Sequence, residues 1–251
     1  MILLLDIGNT RLKWAQLDGG TLGAQFASVH TQAERTALLN RLLETNPKPE
    51  RVLISNVGGA EIGAFCAEAI LQHWKIEAEF VQSTRAAAGV TNAYAEPAKL
   101  GVDRWLAVIA AHAMQRGAAC IVSVGTAMTI DGVDGDGRHL GGVIVPGPHL
   151  MVSSLLKNTS DIASRMAGEG SQGTALFAKH TAGAVMQGSA HALAALIDRA
   201  AAEMKTVVGV APLLILTGGA SESIAPFIKT SLEPVPDLVL RGLAVLANQR
   251  N

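Results

Sequence analysis

Aromatic residues make up only 4% of these 251 residues, with a single tyrosine, Tyr94, and cysteine occurs only at Cys66 and Cys120. Two thiols, each inside an apolar segment, exclude a disulfide framework and read as buried, reduced thiols of a cytoplasmic protein. The seven histidines show no metal-ligand spacing and have no cysteine beside them, which argues against a zinc site. Long apolar runs are missing too: stretches such as residues 105–111 fall far short of the roughly 20 residues of a membrane span. The apolar start, Met1 to Leu5, has no basic leader and is broken at once by Asp6, so a secretory signal is not expected. Twenty Lys and Arg against 21 Asp and Glu leave a net charge of −1, with no basic stripe to meet a nucleic acid.

Familiar nucleotide and hydrolase signatures are absent as well. There is no Gly-x-x-x-x-Gly-Lys-[Ser/Thr] loop and no Gly-x-Gly-x-x-Gly after the first strand, which removes the P-loop and Rossmann readings. Ser123 and Ser153 lack an elbow or triad pattern.

What is present is one device used twice. The apolar run Ile2-Leu3-Leu4-Leu5 leads into Asp6-Ile7-Gly8-Asn9-Thr10, and Ala119-Cys120-Ile121-Val122-Ser123-Val124 leads into Gly125-Thr126. Strand, Gly/Thr turn, strand is a hairpin whose tip offers backbone N–H groups and a hydroxyl. Two such tips facing each other would hold a polyphosphate, which points to an ATP-dependent enzyme made of two related halves.

Periodicity extends the echo. Residues 2–5, 11–17 and 22–29 read as strands, 32–44 as a helix, 51–55 as a strand, 61–75 as a helix and 79–82 as a strand. A helix over 103–115 follows. The second half opens with strands at 119–124, 127–133 and 139–145, then helices at 149–157 and 181–204, a strand at 213–216 and a last helix through Ala247. Residues 158–173, rich in Ser, Gly and Asp, read as a long loop of the kind that is functional or mobile. The expected architecture is α/β: two duplicated actin-like, ribonuclease H-like βββαβαβ lobes with a nucleotide cleft between them. The lobes would span residues 1–116 and 117–251, the last helix packing back on the first.

Several residues admit both a chemical and a structural role. Asp6, at a strand end, can order the water shell of a Mg²⁺ on ATP, or simply form a turn with its own backbone. Asn9, Thr10 and Lys13 can meet phosphate charge, although Lys13 is equally an ordinary strand residue. Thr217-Gly218-Gly219-Ala220 offers bare backbone to a flat ligand such as adenosine, or is a plain strand-to-helix turn. Asp103 can cap a helix or act as a catalytic base, because a loose phosphoryl-transfer transition state asks little of the base. Arg104 can hold a carboxylate or phosphate or pair at the surface, and Tyr94 can offer its hydroxyl or pack.

Taken together, Asp6-Ile-Gly-Asn-Thr10, Tyr94 with Pro97, Leu100-Gly-Val-Asp-Arg104, Gly125-Thr126-Ala127 and Thr217-Gly-Gly219 resemble the type III pantothenate kinases. These form the group containing the Bvg accessory factor proteins, within the acetate kinase/sugar kinase/Hsp70/actin superfamily. The resemblance implies phosphorylation of the primary hydroxyl of pantothenate by ATP to 4'-phosphopantothenate, the first step of coenzyme A synthesis. It implies Asp103 as general base. Asp6, Ile7, Gly8, Asn9, Thr10, Arg11, Leu12 and Lys13 would surround the ATP phosphates, with Gly125 and Thr126 on the opposite wall and Gly218 and Gly219 on the adenosine side. Tyr94, Gly101, Val102, Asp103, Arg104 and Thr181 would contact pantothenate. Mg²⁺ with ATP, an activating K⁺ or NH₄⁺ and a homodimer are implied as well. The family's monovalent-cation Asp is replaced here by Ser123, which implies reduced or altered cation dependence. Two alternatives remain: a nucleotide-binding accessory protein of the same fold, and a kinase of another small hydroxylated acceptor.

Overall fold

The computed structural model describes residues 1–115, 117–159, 162, 164 and 173–249. They form two compact units: Met1–Arg116 with Asp136–His139 and Asp237–Asn251, and Gly117–Gly135 with Leu140–Pro236.

In the first unit, β1 (Ile2–Ile7) pairs antiparallel with β2 (Arg11–Asp18) across the Gly8 turn. The third strand is in two pieces, β3 (Thr21–Leu22) and β4 (Phe26–Val29), rather than the continuous 22–29 read from the sequence. Leu22 lies opposite Leu17 and Phe26 opposite Trp14, so four steps on one chain face three on the other. The extra residue is a bulge around Gly23-Ala24-Gln25. Helix α1 (Arg35–Thr45) starts later than expected, because Thr31 to Glu34 form a turn closed by the Thr31 hydroxyl donating to Glu34 Oε2 at 2.7 Å. β5 (Arg51–Asn56), α2 (Ala60–Trp74) and the short β6 (Glu79–Phe80) complete a parallel extension on the other side of β1, giving the order β3-β2-β1-β5-β6.

The period of two divides β1 between two cores. Leu3, Leu5 and Ile7 face the apolar sides of α1 and α2. Ile2 and Leu4 face the opposite core, built with Leu106 of α3 (Val102–Met114) and with Leu240 and Leu243 of α7 (Leu238–Asn248). Helices α3 and α7 also pack on each other. Asp6, next in the alternation, points to the α3 face. A two-residue hairpin, β7 (Ala86–Ala87) and β8 (Val90–Thr91), lies between β6 and α3 and was not foreseen. Ala88 and Gly89 both take positive φ at its turn.

The second unit repeats the topology. β9 (Ala119–Val124), β10 (Ala127–Val133) and β11 (His139–Pro146) are followed by α4 (Pro148–Asn158) and the long α5 (Thr181–Val208). β12 (Leu213–Thr217), a short α6 (Ser221–Ile224) and β13 (Leu232–Pro234) finish the unit in the order β11-β10-β9-β12-β13. Cys120, Val122 and Val124 of β9 face Leu193, Ala194 and Ile197 of α5. The loop expected over 158–173 lies mostly outside the described residues. β1 and β9, β2 and β10, β5 and β12 therefore hold equivalent places, and the duplicated actin-like α/β fold is the one expected. Both cysteines are free and buried, with burial pushing each thiol up to about 12, so neither is a nucleophile at neutral pH. Among the described residues no helix is long and apolar enough to cross a membrane.

Candidate active site

Asp6 sits in the middle of a row across three strands of the first unit, with Lys13 of β2 on one side and Ser55 of β5 on the other. The Ser55 hydroxyl donates to Asp6 Oδ1 at 3.1 Å. Burial, helped by the charge of Asp103, raises the Asp6 carboxyl to about 6 against the pull of Lys13 and of the Ser55 bond. The two carboxylates foreseen as metal-ordering and catalytic thus belong to one electrostatic neighbourhood. Among the described residues no group of three or more His, Cys, Asp or Glu could hold a metal ion. One buried carboxylate suits a Mg²⁺ carried by ATP phosphates and water.

The turn after Asp6 is closed by the Gly8 N–H donating to Arg11 O at 3.0 Å. His30, buried and not singled out from the sequence, pins it: Nε2 donates to Gly8 O at 2.7 Å, and its backbone N–H donates to Thr10 O. Ile7 and Leu12 are buried in the core beneath the turn, whereas Asn9, Thr10 and Arg11 are exposed at its tip and Lys13 is half-buried.

Asp103 stands in the first turn of α3, just after Gly101, where the helix N-terminus favours a negative charge. Its Oδ1 accepts from the Arg104 N–H at 2.9 Å. Gly101 and Val102 line a cleft of about 450 Å³ together with Asn56, Gln82, Ser83 and Lys99. Arg104 is buried, and its Nη1 donates to the Tyr94 hydroxyl at 3.0 Å with the guanidinium 5.7 Å from the ring centre. Two residues missed by sequence reasoning shape the Tyr94 loop. Arg85 spreads its guanidinium over the carbonyls of Asn92, Tyr94 and Ala95, and the buried Asn92 side chain accepts from the Tyr94 N–H at 2.9 Å. Their only sequence signal is that Asn and Arg bracket an Ala-rich stretch.

The remaining candidates belong to the second unit. Ser123 occupies the place equivalent to Asp6, between Thr129 of β10 and Thr217 of β12. The row Lys13–Asp6–Ser55 is thus answered by three neutral hydroxyls, a poor match for a cation site that relies on a carboxylate. The Gly125 N–H donates to Ala127 O at 2.9 Å, and Thr126 is exposed, its carbonyl accepting from Gly147 N at 2.8 Å. Gly218, at φ +98°, approaches the Val124 backbone so closely that a Cβ would collide with it, and Gly219 follows exposed. Thr181 opens α5, capped by His180 Nδ1 accepting from Gly183 N at 3.1 Å.

Comparison with known proteins bears on this geometry. The family model for type III pantothenate kinase matches residues 2–203. A type III pantothenate kinase of Azoarcus sp. is 40% identical over 249 residues, covering 98% of this chain and 90% of the relative. That of Nitrosococcus oceani is 37% identical over 253 residues, covering 98% and 94%. A solved Sinorhizobium meliloti structure, named for a 2-dehydro-3-deoxygalactonokinase, shares the fold with a TM-score of 0.62 at 13% identity, covering 100% of this chain and 99% of the other. By the family match and by identity over nearly its full length, the chain belongs to the type III pantothenate kinase family and is a kinase acting on an alcohol acceptor.

Proposed function

We propose that the protein transfers the γ-phosphoryl group of ATP to the primary hydroxyl of pantothenate, giving 4'-phosphopantothenate, with Asp103 as general base. The observation that carries this reading is the family match over residues 2–203, with Asp103 in the first turn of α3 and the buried Asp6 on the face of β1 that packs in the same core as that helix. Mg²⁺, when bound with ATP, neutralises and orients the phosphates. Asp6 would accept hydrogen bonds from the water shell of that ion once ionised, with Lys13 beside it adding positive charge. The turn from Gly8 to Arg11 would present its exposed tip to the phosphates. Nucleotide contacts in the second unit fall to Gly125, Thr126, Gly218 and Gly219.

On the acceptor side, Arg104 would hold the pantothenate carboxylate, oriented by the Tyr94 hydroxyl it already meets. Gly101 and Val102 would border the acceptor chain in the adjoining cleft, and Thr181 would add a hydroxyl. Asp103 then orients the acceptor hydroxyl and takes its proton late, as the bond to phosphorus forms and the bond to the ADP oxygen breaks. Ser123, paired across the sheet with the hydroxyl residues Thr129 and Thr217, supports a weak dependence on K⁺ or NH₄⁺. The homodimer reading is supported by exposed apolar residues of the second unit, among them Ile144 on the edge strand β11, Leu150 and Phe177.

The test is direct. Incubation with ATP, Mg²⁺ and pantothenate should yield phosphopantothenate by mass spectrometry. No product under any monovalent salt would overturn the reading.

A further inference from the structure

The turn between β10 and β11 contributes residues Asp136–His139 to the first unit, although β10 and all of β11 after His139 belong to the second. Backbone contacts help to seat it there. Thr91 N–H donates to Gly137 O at 2.8 Å, and Thr91 bridges Arg138 in parallel fashion. Gly137, at φ +81°, lies so close to Gly89 that a Cβ would strike the Gly89 carbonyl, and His112 Nε2 is 3.1 Å from the same point. Only glycine fits such a crossing.

This seat delivers His139 to the Tyr94 loop. His139 is buried, its ring lies within 14° of parallel to Tyr94 at 6.2 Å between centres, and the Ala93 N–H donates to its Nδ1 at 3.5 Å. The backbone on both sides of Tyr94 is already held by Arg85 and Asn92. What those bonds leave undetermined is the side-chain rotation of Tyr94, and Arg104 and His139 both meet its ring.

We infer that His139 is a positioning residue for the acceptor site, holding the Tyr94 ring in the orientation in which its hydroxyl meets Arg104. The inference rests on the reading of Arg104 and Tyr94 as the acceptor-binding pair. A parallel ring contact is worth about a few-fold, and this one bears on the acceptor site because Tyr94 is the residue whose hydroxyl meets Arg104.

The experiment uses the full-length protein and steady-state kinetics with both substrates. His139→Ala should raise the KM for pantothenate about three- to tenfold while kcat and the KM for ATP stay within about twofold. His139→Phe, which restores a flat ring, should return the pantothenate KM to within about twofold of the parent. An unchanged pantothenate KM in His139→Ala overturns the inference, as does an equal rise for both substrates, or no rescue by Phe when the two variants melt at the same temperature. Should His139→Ala fail to fold, His139→Leu carries the same expectation. Arg104→Gln is the separate control: if it leaves the pantothenate KM unaltered, the acceptor-site reading fails, whatever the His139 variants do.

Discussion

Asp6 keeps its proton up to about pH 6 because it is buried, and, against the pull of Lys13, because the charge of Asp103 stands within reach of it. The relationship follows from strand alternation: Asp6 shares its face of β1 with Ile2 and Leu4, which pack in the same core as Leu106 of α3, and Asp103 begins that helix. An ion drawn to one carboxylate is therefore felt by the other.

Asp103→Asn should lower kcat by at least about 10²-fold while leaving nucleotide affinity in place. Product formation by mass and nucleotide binding by calorimetry check the two halves separately. Near-normal turnover would remove Asp103 from the chemistry.

The raised Asp6 carboxyl has a pH signature in Mg²⁺-free buffer. Its folded value of about 6 lies above the unfolded 3.8, so the folded state binds the proton more tightly. The contribution to stability is complete below about pH 4 and is lost as pH rises through 6, by about 3 kcal/mol in all. Asp6→Asn should match the parent's melting temperature at pH 4 and exceed it at pH 8. A gap between the two that does not vary with pH would contradict the buried, proton-holding carboxyl.

Two glycines of the second unit should behave differently on replacement by alanine. Gly218→Ala forces a side chain against the Val124 backbone at a positive φ and should cost about 3 kcal/mol or more in denaturant unfolding. At Gly125 the added Cβ would have Ala127 O at 3.7 Å as its nearest neighbour, so stability should change by less than about 1 kcal/mol. Under the proposed phosphate contact, Gly125→Ala should nevertheless raise the KM for ATP. An unfolded Gly125→Ala or an unperturbed Gly218→Ala would each contradict the geometry.

The hydroxyl row Thr129–Ser123–Thr217 predicts similar rates in K⁺, NH₄⁺ and a bulky organic cation. Ser123→Asp places a carboxylate where Asp6 stands in the first unit and should introduce K⁺ activation. Steep K⁺ activation of the parent protein would show that another group supplies the charge.

Much of this was legible in the chain. The strands at 119–124 and 127–133 have the bounds read from their apolar runs, and α3 begins within a residue of its expected start, since Gly101 precedes a continuous helical pattern. The bulge at Gly23-Ala24-Gln25 was hidden because an extra residue leaves no trace in composition. The hairpin over Ala86–Thr91 was hidden because alanines carry little strand preference, and its place depends on Gly137 from much later in the chain. His30, Arg85, Asn92 and His139 escaped notice for the same reason: each acts through a backbone carbonyl, a backbone N–H or a ring that local sequence does not reveal.

By itself, the sequence determined the doubled strand–turn–strand device, the positions of Asp6 and Ser123 two residues before its glycines, and the helix opening at Asp103. These depend on alternation and turn preference, which act over a few residues. Only the tertiary structure decided that Lys13 and Ser55 flank Asp6, that Asp103 stands within reach of it, and that His139 meets Tyr94. Those meetings depend on strand register and on burial between distant segments, whose free energy is gained only when the segments pack together.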